Sequence, residues 1–504
     1  DHRGRAADGR QDWDPPLAGD TYWASPPAGN MFGVTPRGTP GEGTTMGAIP
    51  GSLETDRQPP MTVPLRHFVV ALGFLVAGCV VGLLTSLGLL GGRPDLAHVH
   101  LLLVGWVCVT IMGAMTQFVP VWSGTTIHSR RLSVVQLWLV TAGLTGFVGA
   151  LLTGGFGWAP VFGTLLLAGF WTFVYNVGRT LLGVGPLDVT ERHFALALGF
   201  FLVLTAFGWL LAAGYALPVF GGLADVSLSR SRVVGAHAAL AVFGAILTTV
   251  VGALYQLATM FTQTELHGVD EQLRRFEEVG YPLGVVALAT GRLLADPLLA
   301  RVGGVLVATG LLALGIVLAR RLYETQVEWT PMLSRYAVVP AALVVWVGLA
   351  LPAWLATPLA PAVRYGAPGS VHLLAFGVIG FVVFGTVYHV VPFIVWVHEY
   401  SDLLGFEDVP MIDDLYDDRL AAADFALLTL GVGALVAGDL FGLPDGVVLA
   451  GGVCVLAGVG GFVANVLLVV RRHSPHSILG VLFSRFAAGE QSPDEVERPR
   501  SHGE

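Results

Sequence analysis

HVHLLLVGWVCVTIMGAMTQFVPVW runs from His98 to Trp122, HAALAVFGAILTTVVGALYQLATMF from His237 to Phe261, and VHLLAFGVIGFVVFGTVYHVVPFIVW from Val371 to Trp396. Each stretch opens on histidine, continues apolar, and closes on a similar word: GAMTQFVP from Gly113, GALYQLAT from Gly252 and GTVYHVVP from Gly385. Aligned on those glycines, His237 matches His98 and His372 matches His100. Gln117, Gln256 and His389 share one position, and Gly105 matches Gly244. An apolar run of about 20 residues is the length of a membrane-spanning helix. The three stretches therefore predict three equivalent spanning helices.

Outward from them, the chain divides into twelve apolar stretches of spanning length: 66–90, 98–122, 134–153, 158–180, 192–215, 232–260, 279–295, 302–322, 334–356, 370–396, 420–440 and 446–471. The seventh is the weakest, being short and carrying Arg292. The repeated words fall on the second, sixth and tenth stretches, so the unit is four helices, about 135 residues long, present three times (about 66–182, 192–322 and 334–471). Secondary transporters more often show two halves. The predicted fold is all-α, a polytopic membrane domain over 61–475, between a polar, disordered arm over 1–60 and a polar tail over 476–504.

Composition agrees. Of 504 residues, 54% are hydrophobic and 12% charged, and mean hydropathy is +0.69. So little charge cannot cover a water-exposed surface, so the lipid bilayer is the expected solvent. A net charge of −9 without a basic cluster excludes a nucleic-acid binder. All 27 basic residues are Arg. Fifteen arginines lie in loops on the side of both termini, Arg130, Arg131, Arg274, Arg275, Arg320 and Arg321 among them, against six opposite, Arg93, Arg230, Arg232, Arg292, Arg301 and Arg364. Both termini are therefore expected in the cytoplasm of a cell-membrane protein. Cys79, Cys108 and Cys454 lie in apolar stretches and form no CxxC or CxxCH, which gives no support to c-type haem attachment or thiolate zinc.

On this topology the histidines of helices two, six and ten form one layer near the outer face. Gln117, Gln256 and His389 lie roughly 28 Å away, near the opposite face. His98 and His100 point about 200° apart around their helix and must serve different neighbours. A lone histidine at a helix end more often bonds a carbonyl or water than a metal. Recurrence at one position in separate helices shifts the balance towards ligation, since neutral imidazole is the usual axial ligand of haem iron and a good copper ligand. Gln117, Gln256, Tyr255, Tyr388 and His389 are candidates for a proton or polar path, packing hydrogen bonds being their commoner use. His193 is expected to be solvated at the interface, and Asp424 and Asn465 to be structural. No phosphate loop, dinucleotide fingerprint or zinc-protease motif is present.

Twelve helices in three arcs, with histidines on the second, sixth and tenth, resemble the haem–copper oxidase superfamily: the large subunit of cytochrome c oxidases and nitric oxide reductases. The likeness spans about 66–471. The His98-Val99-His100 helix ending in Pro120-Val121-Trp122-Ser123-Gly124 is also similar to the NnrS family of haem and copper membrane proteins linked to nitric oxide. The resemblance implies a haem, expected to be b-type, clamped by His100 (or its neighbour His98) and His372, with His237 and His98 as candidate ligands of copper or a second metal. It implies respiratory electron transfer or oxygen and nitric oxide redox chemistry, a small redox protein as donor and further membrane subunits. The chain departs from the oxidases in Ser370-Val371-His372, in His237-Ala238-Ala239-Leu240 and in the lack of histidine on the seventh helix. An NnrS-like protein without turnover and a metal-free transporter or channel therefore stay open beside an oxidoreductase.

Overall fold

The computed structural model describes residues 59–220 and 229–483; the polar arm, up to residue 58, and the tail from 484 lie outside them. The chain is an all-α polytopic membrane protein. Its long helices are α1 (Thr62–Ser86), α2 (Pro94–Ser123), α3 (Arg130–Thr153), α4 (Phe156–Leu181), α5 (Val189–Ala213), α6 (Arg230–Thr262), α7 (Val269–Leu294), α8 (Pro297–Tyr323), α9 (Pro331–Ala356), α10 (Leu373–Glu399), α11 (Asp418–Phe441) and α12 (Asp445–His473). A short α13 (Ile478–Phe483) follows. All but α7 are long and apolar enough to cross a bilayer. The exception has a sequence reason: Asp270, Glu271, Arg274, Arg275, Glu277 and Glu278 fill the first turns of α7, leaving only its second half apolar.

Helix starts follow local chemistry. Ser129, Asp296, Thr330 and Asp417 each accept a backbone N–H of the first turn from the N-cap position. Asp188 and Glu191 form a reciprocal capping box ahead of α5.

The repeat is structural. α2, α6 and α10 are the most buried helices, with 72%, 89% and 83% of their apolar windows covered, against 61% at most elsewhere. Each contains a π-helical segment soon after its histidines: Leu101–Cys108, Leu240–Ile246 and Leu373–Gly380. Each also packs on the first helix of its unit in the same register. A Cβ built on Gly113 would lie 2.7 Å from Cβ of His67, one on Gly252 2.5 Å from Cβ of His193, and one on Gly385 2.9 Å from the Tyr336 ring. Two turns along, Gly105 meets Phe74 and Gly244 meets Phe200 in the same way. The closing glycines are points of close approach between paired helices, as lipid-embedded helix pairs favour. α3–α4, α7–α8 and α11–α12 pack as hairpins, and α12 packs back on α1.

Candidate functional site

Imidazole orientation is set by backbone carbonyls. His98 Nδ1–H donates to Gly78 O on α1 (2.8 Å), and His237 Nδ1–H donates to Leu204 O on α5 (2.9 Å). The two rings rest against equivalent glycines, Gly82 and Gly208, so the sequence match between His98 and His237 is also a structural one. In the third unit Ser370 stands at that position and bonds Ala367 O instead. His100 Nδ1–H donates to Leu96 O within its own helix (2.8 Å). A carbonyl oxygen only accepts, so Nδ1 carries the hydrogen in all three histidines, and the lone pair of the neutral ring sits on Nε2. That is the tautomer, and the outer hydrogen bond, of a metal-ligating imidazole.

His100 and His237 line one cavity of about 380 Å³ and lie close enough to interact electrostatically. The cavity sits inside the arc from α2 to α6. Its walls are apolar, built from residues such as Leu103, Phe147, Leu166, Phe170 and Phe201, with the buried Cys108 thiol among them. Its polar groups gather at one end. Arg93 and Arg230 also line it, each seven residues before its histidine, about 10 Å along the helix axis. Arg364 and Tyr365 arrive from the loop before α10. Arg230 donates to Leu211 O (2.8 Å) and stacks over Tyr215, with 4.5 Å to the ring centre. Burial raises the Tyr365 phenol above its ordinary range, so it stays a proton donor.

His372 does not line this cavity. Its Nδ1 meets Asp439 Oδ2 at 2.5 Å, and it is partly exposed. The arrangement thus puts His100 and His237 on one cavity and leaves His372 outside it; the expected clamp was His372 with His100 or its neighbour His98. The reason is the 200° between His98 and His100: His98 turns to α1, and His100 turns into the arc closed by α6. Among the described residues no three of His, Cys, Asp and Glu gather as a metal-holding group.

Among the described residues, the side chains of the second polar layer bond in separate groups. Tyr255 O–H donates to Glu277 Oε2 (3.0 Å), and His193 Nε2 meets Glu277 Oε1 (3.3 Å), all three buried. The expectation that His193 is solvated is therefore corrected: α7 brings a carboxylate over it. In the third unit Tyr388 donates to Asp424, which pairs with buried Arg335, while Asn465 Nδ2–H donates to Tyr388 (3.1 Å). In the first unit Gln117 and Gln136 are buried without a hydrogen-bonding partner among the described residues. Gln256 is half-buried, and His389 packs between Phe261 and Phe393.

No protein-family model and no curated protein matches the chain. Sequence reasoning did not single out Arg93, Arg230, Arg364 and Glu277 as site residues. The arginines carried a signal, a cation two turns before each of two histidines. Glu277 was hidden because the apolar part of α7 starts just after it.

Proposed function

We propose that the chain is a haem-binding protein of the cell membrane, both termini cytoplasmic, working in respiratory or nitrogen-oxide redox chemistry. One observation carries the reading: His100 and His237, on two central helices with each Nδ1 held on a carbonyl, line one largely apolar cavity that three arginines also line. Apolar walls, paired imidazoles and outward cations fit a haem, with its flat apolar face and two carboxylates. His100 and His237 would hold the haem, which when bound would supply one-electron transfer. The protein's part is to hold each Nδ1 proton on a carbonyl, to exclude water with the walls, and to neutralise carboxylates with Arg93, Arg230 and Arg364. A small redox protein as donor and further membrane subunits belong to the same proposal.

The three arginines also favour a second reading, a metal-free carrier for an anionic solute. One experiment separates them. Purified full-length protein, expressed with ample haem supply, is assayed for iron and for its reduced-minus-oxidised spectrum. The haem reading expects a low-spin signal that His100→Ala and His237→Ala each remove and His372→Ala retains. A colourless, iron-free preparation overturns it.

A further inference from the structure

Arg292 is a guanidinium near the end of α7, outside the arc that encloses the cavity, and it is buried. A charge there is costly and calls for a partner. Its partners are carbonyls of the loop before α10: Nη1–H donates to Arg364 O (2.9 Å) and Nη2–H to Val363 O (3.3 Å). Two tryptophans of α9 complete the grip. Trp354 Nε1–H donates to Val363 O (2.7 Å) and Trp346 Nε1–H to Tyr365 O (2.9 Å). Three consecutive carbonyls, 363 to 365, are thus each held by a side chain from α7 or α9. Gly366 follows at φ +116°, where a side chain would be strained, and a Cβ there would meet Trp346 Nε1 and Ser370 Oγ at 2.8 Å. The Arg292 stem lies along α6 at Gly235, two residues from His237. The guanidinium sits 5.7 Å from the Trp354 ring centre.

We propose that Arg292, with Trp346 and Trp354, is a positioning device that holds Arg364 and Tyr365 at the end of the His100–His237 cavity. The device belongs to helices of the second and third units and acts on a cavity enclosed between the first and second. Its effect on a ligand rests on the haem reading above; its effect on the loop does not. A loop held by three carbonyl contacts loses little entropy on binding, so its cation is preorganised for a carboxylate. An ammonium in place of the guanidinium keeps the charge but cannot reach two carbonyls in the same fork.

The test uses full-length protein in lipid nanodiscs. In haem-free protein, Arg292→Lys and Trp354→Phe should each raise amide hydrogen exchange over residues 361–370 while leaving α2 and α6 as in wild type. Unchanged exchange in both overturns the device. In haem-loaded protein, Arg292→Lys should lower the haem midpoint potential and speed haem loss several-fold, because a displaced cation no longer favours the reduced form. Both effects should vanish in an Arg364→Gln background, since Arg292 acts through Arg364. A lowered potential that persists in that background, or one seen with Arg292→Gln and not with Arg292→Lys, would mean that Arg292 acts by its own field and would overturn the positioning role. If Arg292→Lys does not accumulate, Trp354→Phe carries the same tests. If wild-type protein takes up no haem, the functional reading fails while the exchange measurement still decides the device.

Discussion

Gly252→Ala tests the closing-glycine architecture most directly. In an isolated helix the change is favourable by about 1 kcal/mol, because glycine pays more backbone entropy than alanine. Here the new methyl would lie 2.5 Å from Cβ of His193 and 3.3 Å from Thr190 O. The neighbour is the root of a helical side chain and cannot swing away. α5 and α6 must move apart by an ångström or more, and overpacking of this kind costs about 1–3 kcal/mol. The separation also strains the bond from Thr190 Oγ1–H to Gly252 O (3.0 Å). With the upper end of that range set against the propensity gain, the net loss is about 2 kcal/mol. Gly460 in α12 has nothing within 4 Å of its built Cβ and serves as the control. Thermal unfolding of purified protein in detergent, followed by the monodisperse fraction after heating, should place Gly252→Ala several degrees below wild type and Gly460→Ala at or above it. Gly385→Ala should fall between them, because the Tyr336 ring can slide. Equal stability of Gly252→Ala and Gly460→Ala would refute the close approach.

Three other outcomes follow from buried polar groups. Asp424→Ala leaves Arg335 buried without its carboxylate and should cost about 3–5 kcal/mol, far more than Asp413→Ala on the surface, by the same thermal assay. Glu277→Ala strips partners from both His193 and Tyr255 and should cost about 1–3 kcal/mol, with Glu277→Gln milder because it can still bond both; equal losses in the two variants would count against the shared-carboxylate geometry. On the exposed end of α8, a hydrogen bond from His267, aided by Arg321, holds the Glu324 carboxyl below its ordinary range. A depressed folded value means its contribution is present above the ordinary carboxylate range and lost as pH falls through the folded value. Glu324→Gln should therefore unfold earlier than wild type at neutral pH and converge with it in acid, as a pH series of melting curves would show.

Much of this was legible because hydrophobic runs and repeated words report on helices and their spacing. The closing glycines identified the threefold unit, and the same glycines are the contact points with His67, His193 and Tyr336. The 200° between His98 and His100 implied two neighbours, and the two rings do serve different ones. Which partner each finds was not legible, because that depends on how the arcs close, and no local spacing encodes it. The π-helical segments were invisible for a related reason. Each inserts an extra residue into a turn, so the phase carried at 100° per residue from a histidine to its closing glycine drifts. The Arg292 grip was hidden because its partners are backbone carbonyls, which every sequence possesses.

Because α12 returns to lie on α1, the three units make a closed circuit with no free flank. Stacked-repeat proteins can gain or lose a unit at an end; here a fourth unit would have nowhere to dock, and removing one would strand two uncovered faces. The copy number is fixed by closure, and diversification is confined to what the units carry inside: a ligand-sized hollow between the first and second, a shared carboxylate in the second, an ion pair in the third.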